Sequence, residues 1–446
     1  MIEQKNSASK TGRIAQLITT TGEIDESKLV IAKHCLIDYL ASSLAAQQSL
    51  EVLNLRRIFE DNQQSTVIIG GKTSSPANAA LVNGFTAHFS DLDDVQSNIC
   101  GHPSVVIFSA LLAVISNQAS LRDLLSAYVV GLEVEGLLGA QFNPRHKMSG
   151  YHTTATLGVL GAAAAIARLK KFDVEQTVRI LSFAADQSAG LGSEVGTDNK
   201  PLHAGISARN AVYAYEFCLA GLSTNQDIFN DKDGWNETVV GKDLDITRFE
   251  NEWLNPGQII SPGMWFKQHP FCSAAMSGYD AAKAAYQSGI RFTEIEKIRI
   301  NIKNGDDHAL NFRHPQNGQQ GKFSAEYIIW QTLKFGDVNE QSFDKEVATT
   351  QFLKDSSRFE RKISLNDDSL SEHVTVLDLV LTNGKQQTFR VSNPLGSPQK
   401  QPTLADCYAK FVRYDKSEYG QTRVEALKKC LKQEKVSELM NFLREI

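Results

Sequence analysis

Between Leu157 and Ala167 the chain reads LGVLGAAAAIA, a stretch with no polar side chain and almost nothing larger than a methyl group apart from two leucines, a valine and an isoleucine. Such a segment has no face to offer water. Its small side chains let neighbouring helix backbones come close, so it predicts an interior helix at the centre of a helical bundle. Val105–Ile115 and Ala211–Leu222 are apolar enough to share that interior, and Leu29, Ile37, Leu40 and Leu44 recur at helical spacing. The periodicity stays helical from about residue 12 to about residue 230.

After about residue 265 the pattern changes. Lys297–Ile302 (KIRINI) alternates in strand fashion, and Val374–Leu381, Asn383-Gly384 and Gln387–Val391 read as a hairpin with a type I′ turn. Helical periodicity returns beyond the Asn-Pro-Leu-Gly-Ser-Pro stretch at 393–398. A chain of 446 residues exceeds what one hydrophobic core usually serves. The expected fold is therefore mainly α: a large all-helical domain from residues 1–265 and 398–446, with a smaller α+β domain, 266–397, inserted before the last helices.

Composition narrows the function classes. A net charge of −5 gives no broad positive field for nucleic acid or anionic lipid. No run reaches the roughly 18 apolar residues of a membrane helix, and the opening MIEQKNSASKTGR lacks the apolar middle of a secretion signal. The six cysteines are scattered, so reduced thiols and a cytoplasmic setting are expected. Nucleotide motifs fail: Gly71-Lys72-Thr73 has Thr66 where a phosphate loop needs its first glycine, and Gly190 to Gly196 has the wrong spacing. With no internal repeat and no cofactor motif, the chemistry falls to side chains.

Three times a polar, ionisable stretch stands directly before an apolar helix: HFSDLDDVQSNICGHPS before Val105, NPRHKMSGYHTTAT before Leu157, and GTDNKPLHAGISARN before Ala211. Helix N-termini favour anions, with Pro103 suited to a first turn and Thr153 or Thr154 to a cap. Three such ends converging would make a polycarboxylate site. His88, His102, His146, His152 and His203 all lie in or beside these stretches, and imidazole is the natural acid or base at neutral pH. Asp91, Asp93 and Asp94 admit three readings: a cap, an acid/base carboxylate, or a Mg²⁺ site of the kind found in helical prenyl enzymes. The metal reading needs a second acidic motif on a facing helix, whereas Asn304–His308 lies in the α+β part. Cys100-x-His102 offers zinc only two ligands. No metal is expected.

The residues in their order resemble the MmgE/PrpD family, which includes 2-methylcitrate dehydratases, cis-aconitate decarboxylases and iminodisuccinate epimerases. The pieces are Ala79-Ala80-Leu-Val-Asn83-Gly84 leading to His88 and Asp91-Leu-Asp93-Asp94, Gly101-His102-Pro103-Ser104, and Gly150-Tyr-His152-x-Thr154-x-Thr156. Gly196-Thr-x-x-Lys200-Pro-Leu-His203-Ala-Gly205, Ala208-Arg209-Asn210, Lys267-x-x-Pro270-x-Cys272 and Lys322-Phe-Ser324-x-x-Tyr327 complete them. The resemblance implies a helical domain with an α+β lid, a homodimer, and a site in the cleft between the two domains. By motif match Asp91, His102, His152, Lys200 and His203 would line its helical side, and Lys267, Cys272 and Tyr327 the lid side. In these roles Lys200 and Lys267 would hold substrate carboxylates, His102 and His152 would polarise or protonate, and Asp91 or His203 would take a proton. Arg209 would bind substrate or pair with an acidic side chain.

Departures from the family pattern bear on the substrate. Val95 stands where dehydratase-like and decarboxylase-like members commonly carry Thr, Met276 where many have His, and Cys272 where decarboxylase-like members often place His. The expected activity is cofactor-free removal of a proton next to a carboxylate of a small di- or tricarboxylate, as an isomerase or epimerase. The alternatives are a dehydratase-like or decarboxylase-like lyase, and a catalytically silent member that binds polycarboxylates.

Overall fold

The computed structural model describes residues 9–64, 66–338, 340–344, 350–365 and 372–446. The first eight residues, part of the opening read above for a secretion signal, lie outside that set. The chain is mainly α and divides into two compact units, residues 1–264 with 402–446, and Trp265–Gln401.

The first unit is built on helices whose every face is apolar. In Pro103–Val114 all but the last residue are buried, and Gly158–Leu169 is buried from Gly158 to Ala167. The small residues of the second helix act as expected. A Cβ on Gly131 of the Leu121–Phe142 helix would stand 2.5 Å from the carbonyl oxygen of Gly161, so the two backbones meet where only glycine fits. The helix Glu26–Ala46 is long and apolar enough to cross a membrane by length and composition, although Lys28, Lys33, His34 and Asp38 interrupt its apolar run. Residues 35–46 of it are buried without a break, and the C-terminal helix Leu404–Tyr414 packs along it.

Two local expectations fail in this unit. The third apolar segment does not begin near Ala211: its helix runs Asn199–Leu219, so Lys200, His203 and Arg209 sit on the helix rather than in a loop before it. Pro201 falls in the first turn, where a missing N–H costs nothing, and Gly205 is kept for packing. Thr66–Ile68 and Lys72–Ser74 form a short antiparallel hairpin inside a region that reads as helical.

The second unit carries a four-stranded sheet in the order Phe359–Leu365, Ile295–Lys303, Thr375–Leu381, Gln386–Val391. The first pair is parallel and the others antiparallel. Helix Met276–Gln287 lies over the last two strands and against helix Ala325–Phe335. The hairpin differs from the I′ reading. Leu381 donates to Lys385 at 2.8 Å, leaving a loop of Thr382, Asn383 and Gly384 in which Gly384 alone has positive φ, +82°. That is the three-residue hairpin with a left-handed glycine.

Candidate active site

The site is assembled where two helices touch. A Cβ on Gly205 would stand 2.2 Å from the carbonyl oxygen of Leu81, and one on Gly84 would stand 2.9 Å from Gly205 Cα. That approach joins the end of Pro76–Phe89, which carries His88, to the start of Asn199–Leu219, which carries Lys200 and His203.

Beyond His88 the chain turns at Asp91, whose φ of 54° is left-handed, a region that aspartate tolerates better than most side chains. The loop then presents Asp93 and Asp94 and reaches His102, the N-cap of Pro103–Val114, with Pro103 in the first turn as expected. His152, rather than a threonine, holds the N-cap position of the turn Thr153–Thr156, with no capping hydrogen bond from its side chain. The threonines instead stitch the loops. His102 N donates to Thr154 Oγ1 at 3.1 Å and Thr153 Oγ1 donates to the Cys100 carbonyl at 2.8 Å. From the C-terminal helix, Lys410 Nζ reaches Asp38 Oδ1 at 2.6 Å and the Leu92 carbonyl at 2.8 Å, pinning the Asp91–Asp94 loop from below.

Within this frame the ionisable groups pair off. Asp91 Oδ1 lies 2.5 Å from Lys200 Nζ, which is 3.4 Å from His102 Nε2. His88 Nδ1 lies 3.0 and 2.9 Å from the two oxygens of Asp93, and His102 Nδ1 lies 3.0 Å from Asp93 Oδ2. Burial works against ionising Asp93, yet the ring nitrogens of His88 and His102 that face its oxygens hold its carboxyl well below the usual range. His152 Nδ1 faces His203 Nδ1 at 3.0 Å, so one ring donates and the other accepts: the two imidazoles are opposite tautomers. Burial, aided by the charge of Lys200, keeps His152 neutral well below the ordinary histidine range, and burial also lowers His88 and His203. Beneath the loop, burial and then the charge of Asp38 push Asp94 well above the carboxylate range, with Ser104 Oγ donating to it at 2.5 Å.

Five of the expected residues therefore come together: Asp91, His102, His152, Lys200 and His203. Two others of the same unit stand apart from them. Arg209 binds the side chain of its neighbour Asn210 and lies over the Tyr213 ring, 5.8 Å from its centroid. His146 is a packing group, held by Thr156 Oγ1 at 2.7 Å and stacked on Tyr151. In the second unit Tyr327 packs in the interior. Its ring is buried among Trp330, Phe343 and Phe352, and its hydroxyl donates to the Ser342 carbonyl at 3.0 Å while accepting from Gln331 at 3.1 Å. Lys267 is fully buried, and Cys272 is half-buried with its N–H on the Lys322 carbonyl.

His88 and Asp93, both noted in the sequence, are given no role in the site by the motif match. The sequence places Asp93 in the acidic knot and His88 beside it, but five-residue spacing across a helix end carries no periodic signal. His88, Asp91 and His102 also offer ligand atoms within 4.8 Å of one another, a spacing a metal ion can use. The Lys200 ammonium already sits against two of the three, so a divalent ion there would have to displace it.

Two family models match the chain, the MmgE/PrpD N-terminal domain over residues 13–247 and the MmgE/PrpD C-terminal domain over residues 269–433. The chain belongs to the MmgE/PrpD family. Among curated members it is similar to the cis-aconitate decarboxylase of Mus musculus, 24% identical over 416 residues that span 88% of this chain and 82% of that protein. The Homo sapiens cis-aconitate decarboxylase is 24% identical over 343 residues, 72% of this chain and 69% of that protein. One from Aspergillus terreus is 25% identical over 226 residues, covering 47% and 46% of the two chains. These similar family members are lyases, which shifts weight from the isomerase expectation to its alternative.

Proposed function

We propose that this MmgE/PrpD protein is a cofactor-free lyase that acts on a small di- or tricarboxylate of the aconitate type. The observation that carries the reading is the Asp91–Lys200–His102 group in a buried cluster with the neutral His152–His203 pair. An ammonium at a helix start, shared with a carboxylate, meets a substrate carboxylate as a preorganised cation and stabilises the enolate-like charge that develops beside it. Neutral imidazoles at that place offer a lone pair to a substrate proton near pH 7.

In a decarboxylation, the bond to one carboxyl carbon breaks and carbon dioxide leaves. Its electron pair moves through the adjacent double bond to a carbon that takes a proton from the Lys200–His102 pair, which solvent then reprotonates. The names of the similar proteins support this order over isomerisation. A second reading, epimerisation or double-bond isomerisation, is supported by Val95, Met276 and Cys272, which depart from the decarboxylase-like pattern. The two separate proton-handling groups support it too.

The test is to incubate chelator-treated protein in D₂O with aconitates, 2-methylcitrate, citraconate and iminodisuccinate, following products and deuterium at carbon by NMR. We expect carbon dioxide release with a deuterated product, and a loss of roughly 10²–10³-fold in kcat/KM for Lys200→Ala, the scale of removing one oxyanion-stabilising group. Deuterium exchange without carbon dioxide or water loss favours the isomerase. Neither exchange nor product from any polycarboxylate overturns both.

A further inference from the structure

The geometry points to Asp93 as a positioning residue that locks His102 in one tautomer, with His88 as the second arm of the clamp. The proposal rests on the lyase reading for its kinetic consequence, although the tautomer itself does not.

His102 Nδ1 faces two acceptors, Asp93 Oδ2 at 3.0 Å and the Asp94 carbonyl at 3.1 Å. A ring nitrogen between two acceptors must carry the proton, so the lone pair is on Nε2. Nε2 is the atom turned to the chemistry, 3.4 Å from Lys200 Nζ and 3.8 Å from Asp91 Oδ1. With the opposite tautomer, Nε2 would present an N–H to an ammonium and Nδ1 a lone pair to a carboxylate, both repulsive.

A carboxylate held by a single imidazole could swing away. Asp93 cannot, because His88 grips both its oxygens from the end of the neighbouring helix. His88 has no other task visible in the fold: its side chain is wholly shielded from solvent and its Nε2 has no hydrogen-bond partner. The two rings stand 4.3 Å apart, centroid to centroid. The other ionisable groups around the clamp are Asp91 and Asp94 on its own loop, Lys200 and His203 on the Asn199–Leu219 helix, and His152 on the turn before Thr153. Asp93 touches neither Asp91 nor Lys200 directly, so it acts through His102.

The test compares wild type, Asp93→Asn and His88→Asn. Nitrogen-15 NMR of the histidine rings reads the tautomer, and kinetics use whichever polycarboxylate wild type converts. For Asp93→Asn we expect His102 to lose its pure Nδ1–H signature and kcat to fall roughly 10²–10⁴-fold, the range of a positioned acid or base that loses its orienter, with KM within about twofold. The acidic limb of the kcat–pH profile moves to lower pH, because a buried carboxylate that favours a protonated neighbour is gone. His88→Asn gives a smaller loss, roughly tenfold, with the same direction of shift. An Nδ1–H signature and kcat both unchanged in Asp93→Asn overturns the proposal. If that variant does not fold, an unchanged kcat and pH limb in His88→Asn overturns it. A wild type that converts no polycarboxylate defeats the lyase reading, while the NMR tautomer still decides the role of Asp93.

Discussion

Two buried charged groups, one in each unit, look alike in a list and differ in kind. In the smaller unit Arg361 closes a fork on Glu326, with Nε on Oε1 at 2.9 Å and Nη2 on Oε2, while Nη1 donates to the Leu310 carbonyl. Donors and acceptors match, and the pair holds a strand to a helix. In the helical unit the same degree of burial encloses Asp91, Asp93, Lys200 and four imidazoles. There one residue is left-handed, two rings face each other through like atoms, and a histidine nitrogen is left without a partner. Burial is shared by both; saturation is not. A satisfied pair is structure, whereas a cluster held together with unmet capacity is set for chemistry.

The comparison breaks first if the structural pair proves dispensable. Arg361→Ala leaves Glu326 buried without its counter-ion and is expected to cost about 3–5 kcal/mol in denaturant unfolding. At a temperature where the variant remains folded, kcat/KM should stay within about twofold. A large loss of activity without a loss of stability would place Arg361 with the chemistry instead.

Titration sharpens the contrast between the imidazoles and the buried acids. His152 takes up its proton far below 6.5 when folded, so as pH falls through 6.5 the unfolded chain binds a proton that the folded chain refuses, and stability drops. Glu133 works in the opposite direction. Its burial raises it from 4.5 to about 7, so the folded chain keeps a proton that the unfolded chain has lost, and stability drops as pH rises through that window. Unfolding free energies measured between about pH 5.5 and 6.5 should therefore lose up to about 1.4 kcal/mol per pH unit of positive slope in His152→Asn, and gain as much in Glu133→Gln. Equal slopes in all three proteins would mean that His152 is not held neutral.

The smallest effect belongs to Tyr327. Removing its hydroxyl in Tyr327→Phe strands the Ser342 carbonyl and the Gln331 amide, and should cost about 1 kcal/mol in thermal or denaturant unfolding. Turnover should be unchanged. A fall in kcat/KM above about tenfold would return this ring to the site that the motif match assigned it.

Some of this was legible in the residues. LGVLGAAAAIA can only be an interior helix, and its glycine does meet another backbone. KIRINI is a strand, and the polar stretches ahead of apolar helices do supply the groups that cluster. The hairpin shows the limit: Asn-Gly marks a turn but does not count the residues in the loop, which is settled by which pair of strand residues closes. Tyr327 shows another, since the same Ser-x-x-Tyr spacing serves a core ring as well as a substrate contact.

What the sequence determined by itself was the inventory: apolar periodicity compels burial, and the order of motifs marks the family, because both are written in residue types along one dimension. What only the tertiary structure decided was pairing. Whether Lys200 finds Asp91 depends on how far two helices can close at Gly84 and Gly205, and whether Asp93 is shared by two imidazoles, or His152 meets His203 nitrogen to nitrogen, depends on which other segments pack against them. Electrostatic coupling and hydrogen bonding act over a few ångströms in space, and no spacing along the chain encodes that distance.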